Sequence, residues 1–442
     1  MTLRRHQDVL PNGLRVVTLE TPHLHSALVT VWVRTGSRHE TARTNGVSHF
    51  LEHLFFRGSA RFPDTREMNA AVEEVGGNLN GVTTRDHGCY YTPCHAGGLR
   101  TALEVLGDML SRPALTQVEV ERSIILEEML DEVDGRGRDV DPDNLAKMKL
   151  FAPHPLSYKI AGTPASVKRI RRGDILAHYR QHYVTGNLVV AVAGPVTRKE
   201  VLARTGRAFR HLPVGASSTE SPPPPPPRGP WMHHVVHDES QFELKLTFPA
   251  VPEHHPDAPA LQLLRRVLDD GLSSRLPFAV VESRGLAYDL QCGLETFHDT
   301  GLFEVEAACA PHHAAQVVEE VLKVLGEVRR ELVTEEELRR AVQRQKVLLD
   351  FALDSPGELC GWFGGTALFR EPEPFPARVR AARAVTREQL RDVARRLLRP
   401  DAVGLVAVGP REGARGLRSA LDRAGRWLGP APRGAVRPSA GT

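Results

Sequence analysis

The sequence has no long apolar run. None of its hydrophobic stretches approaches the ~20 residues of a membrane-spanning helix, so no membrane span is expected. Cysteine is scarce. The five present (Cys89, Cys94, Cys292, Cys309 and Cys360) are scattered and odd in number. That excludes a disulfide framework and reads as structural free thiols in a reducing cytoplasm. No charge of one sign prevails: Lys+Arg number 57 against Asp+Glu 54, a net charge of +3, so no nucleic-acid footprint is present. The opening Met1-Thr2-Leu3-Arg4-Arg5-His6-Gln7-Asp8 lacks the apolar core of a secretory signal. No phosphate-binding pattern follows Gly76-Gly77, which therefore reads as a helix cap. What is there is 442 residues, 41% hydrophobic and 25% charged, enough for two or more domains with substantial cores.

The chemistry is concentrated in His49-Phe50-Leu51-Glu52-His53. On a helix, histidines four apart lie about 40° from each other on one face, one turn above the other. Two imidazoles so placed reach one metal ion, and catalytic zinc takes three protein ligands and leaves a fourth position for water. Glu52, next to His53, is placed to act as a general base. The order H-x-x-E-H reverses the familiar zinc-peptidase pattern. The plainer reading is a helix with two surface histidines and a chance glutamate, in a chain with 20 His.

A third ligand is expected from the acidic helix-like run Val118 to Val133, which holds Glu119, Glu121, Glu127, Glu128 and Glu132. Glu121, Ile125, Glu128 and Glu132 share one stripe at three-and-four spacing. An unpaired carboxylate on a semi-buried stripe is costly, and a metal would give it a partner. A solvated charged face is the alternative, and spacing does not separate Glu127 from Glu128.

The chain resembles the pitrilysin/insulinase family of zinc metallopeptidases, especially its short bacterial members and mitochondrial processing peptidase. Three stretches carry the resemblance: Gly46 to Gly58; Val75-Gly76-Gly77-Asn78-Leu79-Asn80-Gly81-Val82-Thr83-Thr84-Arg85-Asp86-His87 with Tyr90-Tyr91; and Glu121-Arg122-Ser123-Ile124-Ile125-Leu126-Glu127-Glu128. The resemblance implies Zn2+ as the cofactor, held by His49, His53 and Glu128. It implies Glu52 as general base, Glu121 in a supporting catalytic role, and Asn80 holding the substrate backbone. The substrate it implies is a peptide or unfolded polypeptide, cut inside an enclosed chamber.

In chain order, strands are expected over 8–34 with a turn at Asn12-Gly13, then the motif helix near 46. Further helices are expected at 65–75, 99–111, 117–134, 141–151 and 173–183, with a strand from Leu188 to Gly194. The run Pro222 to Pro227 reads as a polyproline-II spacer. Beyond it the order repeats. A strand pair at Met232–Pro249, a helix at 258–270 without a ligand set, strands at 286–290 and 301–307, and helices at 314–332 and 335–354 echo the first half. The expected fold is α+β: two homologous α/β halves, each a mostly antiparallel sheet packed with helices, which the resemblance implies form half of a clamshell-like peptidase. The expected divisions are a zinc-bearing domain at 1–216, a linker at 217–230, a zinc-free domain at 231–428 and a disordered tail at 429–442. The sequence-paired histidines His233-His234-His237, His254-His255 and His312-His313 read as solvated.

One position departs from the family pattern. The zinc-free half is expected to supply an Arg and a Tyr seven apart that bind substrate; Tyr288 is present, but the arginine position is Val281, which cannot donate a hydrogen bond. The resemblance then implies a heterodimer with a zinc-less paralogue that brings the missing group, a homodimer being the other possibility. Two further readings stand beside the peptidase: a non-catalytic structural or chaperone-like subunit of the same fold, and a dedicated maturase for one peptide.

Overall fold

The computed structural model describes residues 3–429; the tail expected to be disordered lies outside the described residues from 430 onward. Strands β1 (Arg4–Val9) and β2 (Arg15–Glu20) form a hairpin with Arg4 opposite Glu20 and Val9 opposite Arg15. Its turn needs Gly13, which has φ +89°. After β3 (Ser26–Val33) come helices α1 (Val47–Phe55) and α2 (Thr65–Glu73), the second capped by the Asp64 side chain on the Glu67 N–H at 2.8 Å. The chain continues through β4 (Asn80–Thr83), β5 (Gly88–His95), α3 (Leu99–Ser111), α4 (Val118–Glu128) and α5 (Pro142–Phe151). Helices α6 (Pro164–Arg169) and α7 (Arg172–His182), strand β6 (Leu188–Gly194) and helix α8 (Arg198–Ala208) complete the first half. The second half contains β7 (Trp231–Val236), β8 (Phe242–Ala250), α9 (Ala258–Leu268), the single turn α10 (Arg275–Pro277), β9 (Asp289–Thr296), β10 (Gly301–Cys309), α11 (Ala314–Arg330), α12 (Glu335–Ala352) and β11 (Gly404–Gly409).

The two sheets share one topology. The first runs β1-β2-β6-β3-β5-β4 and the second β7-β11-β8-β10-β9. Without β1 the orders correspond strand for strand. In each sheet one pair is parallel, β2 with β6 and β7 with β11, and the rest are antiparallel. The expected α+β class, with two similar and mostly antiparallel halves, is what the chain adopts. The expected pair at Met232–Pro249 is not a pair. β7 and β8 both bond to β11, which lies between them. The reason is the composition of β11: Gly-Leu-Val-Ala-Val-Gly is buried at every position, so it belongs inside a sheet with a partner on each edge. Its first-half counterpart, β6, is equally buried.

The described residues fall into two compact units, each drawn from three stretches. The first takes the described part of Met1–Asp131, with Phe151–Pro222 and Val347–Phe375. Gly364, from its last stretch, packs so closely that an added Cβ would lie 2.6 Å from both Ala191 Cβ and Trp32 Nε1. Residues 213–228 form no helix or strand, yet the Glu220 side chain is only 5% exposed and meets Arg34 Nε and His39 Nε2, each at 2.8 Å. The second unit takes Glu132–Leu150, Pro223–Lys346 and the described part of Pro376–Thr442. Here Lys147 of α5 has no exposed side-chain surface; it pairs with Asp143, with Glu295 at 2.5 Å and with Glu304 at 3.1 Å. Lys245 reaches Asp143 at 2.6 Å, Glu306 at 2.8 Å and Glu304 at 3.2 Å. Burial works against the Lys245 charge, but Glu304, Asp143 and Glu306 outweigh it and hold its pKa above the ordinary lysine value. All five cysteines are buried and free, and no described helix is long and apolar enough to cross a membrane.

Removing Lys147 takes one of two ammonium partners from the buried Glu304. Lys147→Ala is expected to destabilise the second unit by about 3 kcal/mol, the low end for a broken buried pair because Lys245 remains. Denaturant unfolding followed by tryptophan fluorescence reads this; an unchanged midpoint would mean that the network carries no net stability.

Candidate metal centre

Helix α1 divides its faces sharply. Phe50, Leu51, Leu54 and Phe55 are fully buried in the first unit's core, each contributing about 1.5–3 kcal/mol, which fixes the helix's rotation. His49, Glu52 and His53 are left on the other side. The N-terminus of α1 is held equally firmly. Gly46 has φ +95°, and a Cβ there would meet Ala161 O at 2.5 Å. Glu40, six residues upstream, supplies the cap: Oε2 accepts from Gly46 N at 2.7 Å and Asn45 Nδ2 at 2.9 Å, and Oε1 accepts from Ser48 N at 2.8 Å. Burial pushes the Glu40 pKa up to about 7, against the pull of its Asn45, Ser48 and Gly46 donors. His178 of α7 braces the same turn through Ser48 Oγ at 3.0 Å and Thr35 Oγ1 at 3.2 Å.

On the open side, His49, His53 and Glu128 bring ligand atoms within 4.8 Å of one another. His49 Nε2 lies 3.9 Å from Glu128 Oε1, and His53 Nε2 lies 3.6 Å from Glu128 Oε2. The two rings meet edge to face with centroids 4.6 Å apart. Burial, and then the charge of His53, push the His49 pKa down to about 4, so its ring is neutral near pH 7 and keeps a lone pair for a metal. Glu121 Oε2 sits 3.0 Å from His53 Nδ1, which sets that nitrogen as the protonated one and turns the Nε2 lone pair towards Glu128. The other Glu121 oxygen accepts from Arg57 Nε. Two imidazole nitrogens and one carboxylate, with one imidazole oriented from behind, suit zinc with an open position.

Glu52 is close by and half-buried. Burial first, and Glu128 with it, raise its pKa; the Thr83 hydroxyl, which donates to Oε2, and His53 lower it. Gly81 faces Glu52 from β4, two residues before Thr83 on the same side of the strand. A Cβ on Gly81 would lie 2.9 Å from Glu52 Cγ and 3.0 Å from Phe56 Cζ, so only glycine leaves the base its place.

The other expected residues are placed as follows. Glu121 is buried at the start of α4 and Glu128 is exposed at its end. The acidic stripe stops there: a 3-10 turn (Met129–Glu132) takes over, and Glu132 accepts from Asn144 Nδ2 at 3.1 Å. Asn80 opens β4, with Nδ2 donating to Asn78 O at 3.1 Å. In the second unit Tyr288 is 66% exposed, while Val281 packs on the hydrophobic core. Arg284 and Arg275, the nearest arginines in sequence, are engaged by Glu320 at 2.7 Å and Glu337 at 2.6 Å. None of the sequence-paired histidines joins a metal-ligand group among the described residues. No site role was expected of Glu40, Arg57, Gly81, Thr83 or His178, although Arg57, Gly81 and Thr83 lie in stretches that carry the resemblance. The spacing of Glu40 from α1 fits no capping pattern, and only the Gly81-x-Thr83 alternation of a strand carried a signal for the β4 pair.

Residues 15–164 match the family described as Insulinase (Peptidase family M16), and residues 169–345 match the Peptidase M16 inactive domain. An uncharacterized zinc protease of Mycobacterium tuberculosis is 33% identical over 429 residues, spanning 95% of this chain and 96% of the relative. The mitochondrial-processing peptidase subunit beta of Dictyostelium discoideum is 28% identical over 416 residues, 91% of this chain and 88% of the relative. A crystal structure of a peptidase M16 inactive domain from Pseudomonas fluorescens has the same fold, with a TM-score of 0.84 at 20% identity over 92% of this chain and 98% of that one. Zinc is the metal that this donor set suits and that the similar proteases are named for.

The helix cap can be tested by pH. The Glu40 pKa rises from the ordinary 4.5 to about 7 in the fold, so the stability it contributes is full below pH 4.5 and is lost as pH rises through 7. The Tm difference, wild type minus Glu40→Gln, is expected to fall between about pH 5 and about pH 7.5. A difference that grows over that range would mean a carboxylate already ionised at the lower pH.

Proposed function

Because the chain belongs to peptidase family M16, the insulinase family, we propose that it is a zinc-dependent metalloendopeptidase that hydrolyses peptides and unfolded polypeptide segments. The observation that carries this reading is the convergence of His49, His53 and Glu128 ligand atoms within 4.8 Å, with Glu52 beside them. These three residues hold the zinc. When bound, zinc supplies Lewis acidity, which polarises the scissile carbonyl and brings the pKa of water towards neutrality.

The remaining steps belong to the chain. Glu52 accepts the proton of the attacking water and returns it to the leaving amine. Its half-buried setting favours holding that proton between the two transfers, and the Thr83 hydroxyl fixes the carboxylate's direction. Glu121, backed by Arg57, is a positioning residue that holds the His53 ring. β4 ends its sheet and has one edge without a strand partner among the described residues. An extended peptide added to that edge would run past Gly81 and Thr83, the residues that touch Glu52. Asn80, at the head of β4, is assigned to the substrate backbone, and Tyr288 to substrate binding.

Val281 stands where the family pattern calls for an arginine, so we assign the chain to the zinc-bearing place in a dimer with a zinc-less paralogue. A relative named as a subunit of a processing peptidase supports that arrangement. The buried free thiols of all five cysteines support a reducing cytoplasm.

Cleavage of a mixed library of unfolded peptides by the zinc-loaded chain, read by mass spectrometry, tests the assignment. Glu52→Gln is expected to keep zinc and lose about 10²–10⁴-fold in rate. Equal cutting by both proteins would remove Glu52 from the mechanism. Adding the zinc-less paralogue from the same source is expected to raise the rate; full activity as a homo-oligomer would contradict the partner. Glu121→Ala is expected to weaken zinc binding by about 10–100-fold in chelator competition, and an unchanged affinity would mean that Glu121 does not orient His53.

A further inference from the structure

The first unit contains a second charged site, between α3 and α8. Gly107 lets these helices touch, since a Cβ there would lie 2.7 Å from Ala208 O. Beside that contact is a cavity of about 600 Å³ walled by Arg61, Arg100, Arg112, Arg204, Arg207 and Arg210. Three carboxylates share the cavity, so its six guanidinium groups exceed its carboxylates by three.

The pairing is uneven. Glu104 takes Arg61 at 2.6 Å and Arg100 at 2.8 Å. Asp108 takes Arg112 Nε at 2.8 Å and also accepts from Ser59 Oγ at 2.6 Å and Arg61 N at 2.8 Å. Glu200 takes Arg204 at 2.8 Å. Arg207 and Arg210 are exposed and meet no carboxylate among the described residues. Arg210 Nε donates to His211 Nε2 at 2.9 Å. All the carboxylates of the cavity are thus committed, and Arg207 in the last turn of α8 and Arg210 just beyond its end still offer planar donor forks.

We propose that this groove binds a compact phosphate chain, either an inorganic oligophosphate or the phosphate tail of a nucleotide. Concave placement of unneutralised guanidinium groups suits an anion of several charges, and bidentate contacts suit phosphate oxygens. The volume lies within the range of small-ligand sites. The only ring in the lining is the His211 imidazole, which Arg210 already engages, and alanine is its only apolar residue type. Helices α3 and α8 supply most of the lining and loops the rest, so no strand edge is available there to a peptide main chain. These features favour the phosphate chain over an acidic peptide and leave any nucleoside unrecognised. The proposal is independent of the peptidase reading.

Calorimetric titration of the full zinc-loaded chain with inorganic triphosphate, ATP and adenosine, near physiological salt, tests it. Triphosphate is expected to bind saturably at one site, ATP to bind within a few-fold of it, and adenosine not at all. The Arg207→Gln/Arg210→Gln double variant is expected to keep its zinc content and Tm while losing about tenfold or more in triphosphate affinity. Arg207→Lys/Arg210→Lys is expected to fall between, because it keeps charge without the fork. Three results would overturn the proposal: no triphosphate binding at millimolar concentration, equal binding by the double glutamine variant, or binding of ATP without triphosphate.

Discussion

The metal-ligand group depends on the division of α1 into a locked face and a working face. Phe50, Leu51, Leu54 and Phe55 cannot turn away from the core without exposing four large apolar side chains. Glu40 and Gly46 fix the axial position of the helix from its N-terminus. With rotation and translation both set, His49 and His53 are presented one turn apart, and the only adjustable donor is Glu128 at the exposed end of α4. Glu121 then acts as a pivot: it is buried seven residues before Glu128 and ties α4 to α1 through His53 and Arg57.

The shared sheet topology explains how a second half can keep the fold without this chemistry. α9 occupies the place in the second half that α1 has in the first. Its buried residues Leu261, Leu264 and Leu268 do the packing that Phe50, Leu51 and Leu54 do in α1. Packing of that face is what the sheet requires, and the opposite face is free to carry ligands or not. The second unit instead places its buried charges in the Lys147 and Lys245 network, where two ammonium groups occupy the space between Asp143, Glu304 and Glu306. Those three carboxylates could hold a cation by distance alone, but the two lysines already sit among their oxygens.

Periodic features were legible in the sequence. The helical register of His49 and His53, the wholly apolar β6, the Asn12-Gly13 hairpin and the repeat of strand and helix order all follow from local pattern, and the α+β class with them. Features set by distant partners were not legible. Nothing in Met232–Pro249 reveals that a strand about 160 residues later will separate its two halves, because β11 is recognised only by its burial. Glu40 reads as one carboxylate among 54 acidic residues until the fold brings it under Gly46 and Ser48. Thr83 and Gly81 gain meaning only because β4 ends its sheet beside α1. Helical spacing also carried the acidic stripe one step too far, since it assumed a helix that continues to Glu132 where the chain tightens into a 3-10 turn.

Anomalous scattering at the zinc edge from crystals of the zinc-loaded chain would locate the ion. One peak is expected within about 2.0–2.2 Å of His49 Nε2, His53 Nε2 and a Glu128 oxygen, with the Glu52 carboxylate beside the open position. A peak whose third protein donor is Glu127, or one away from α1, would contradict the site described above.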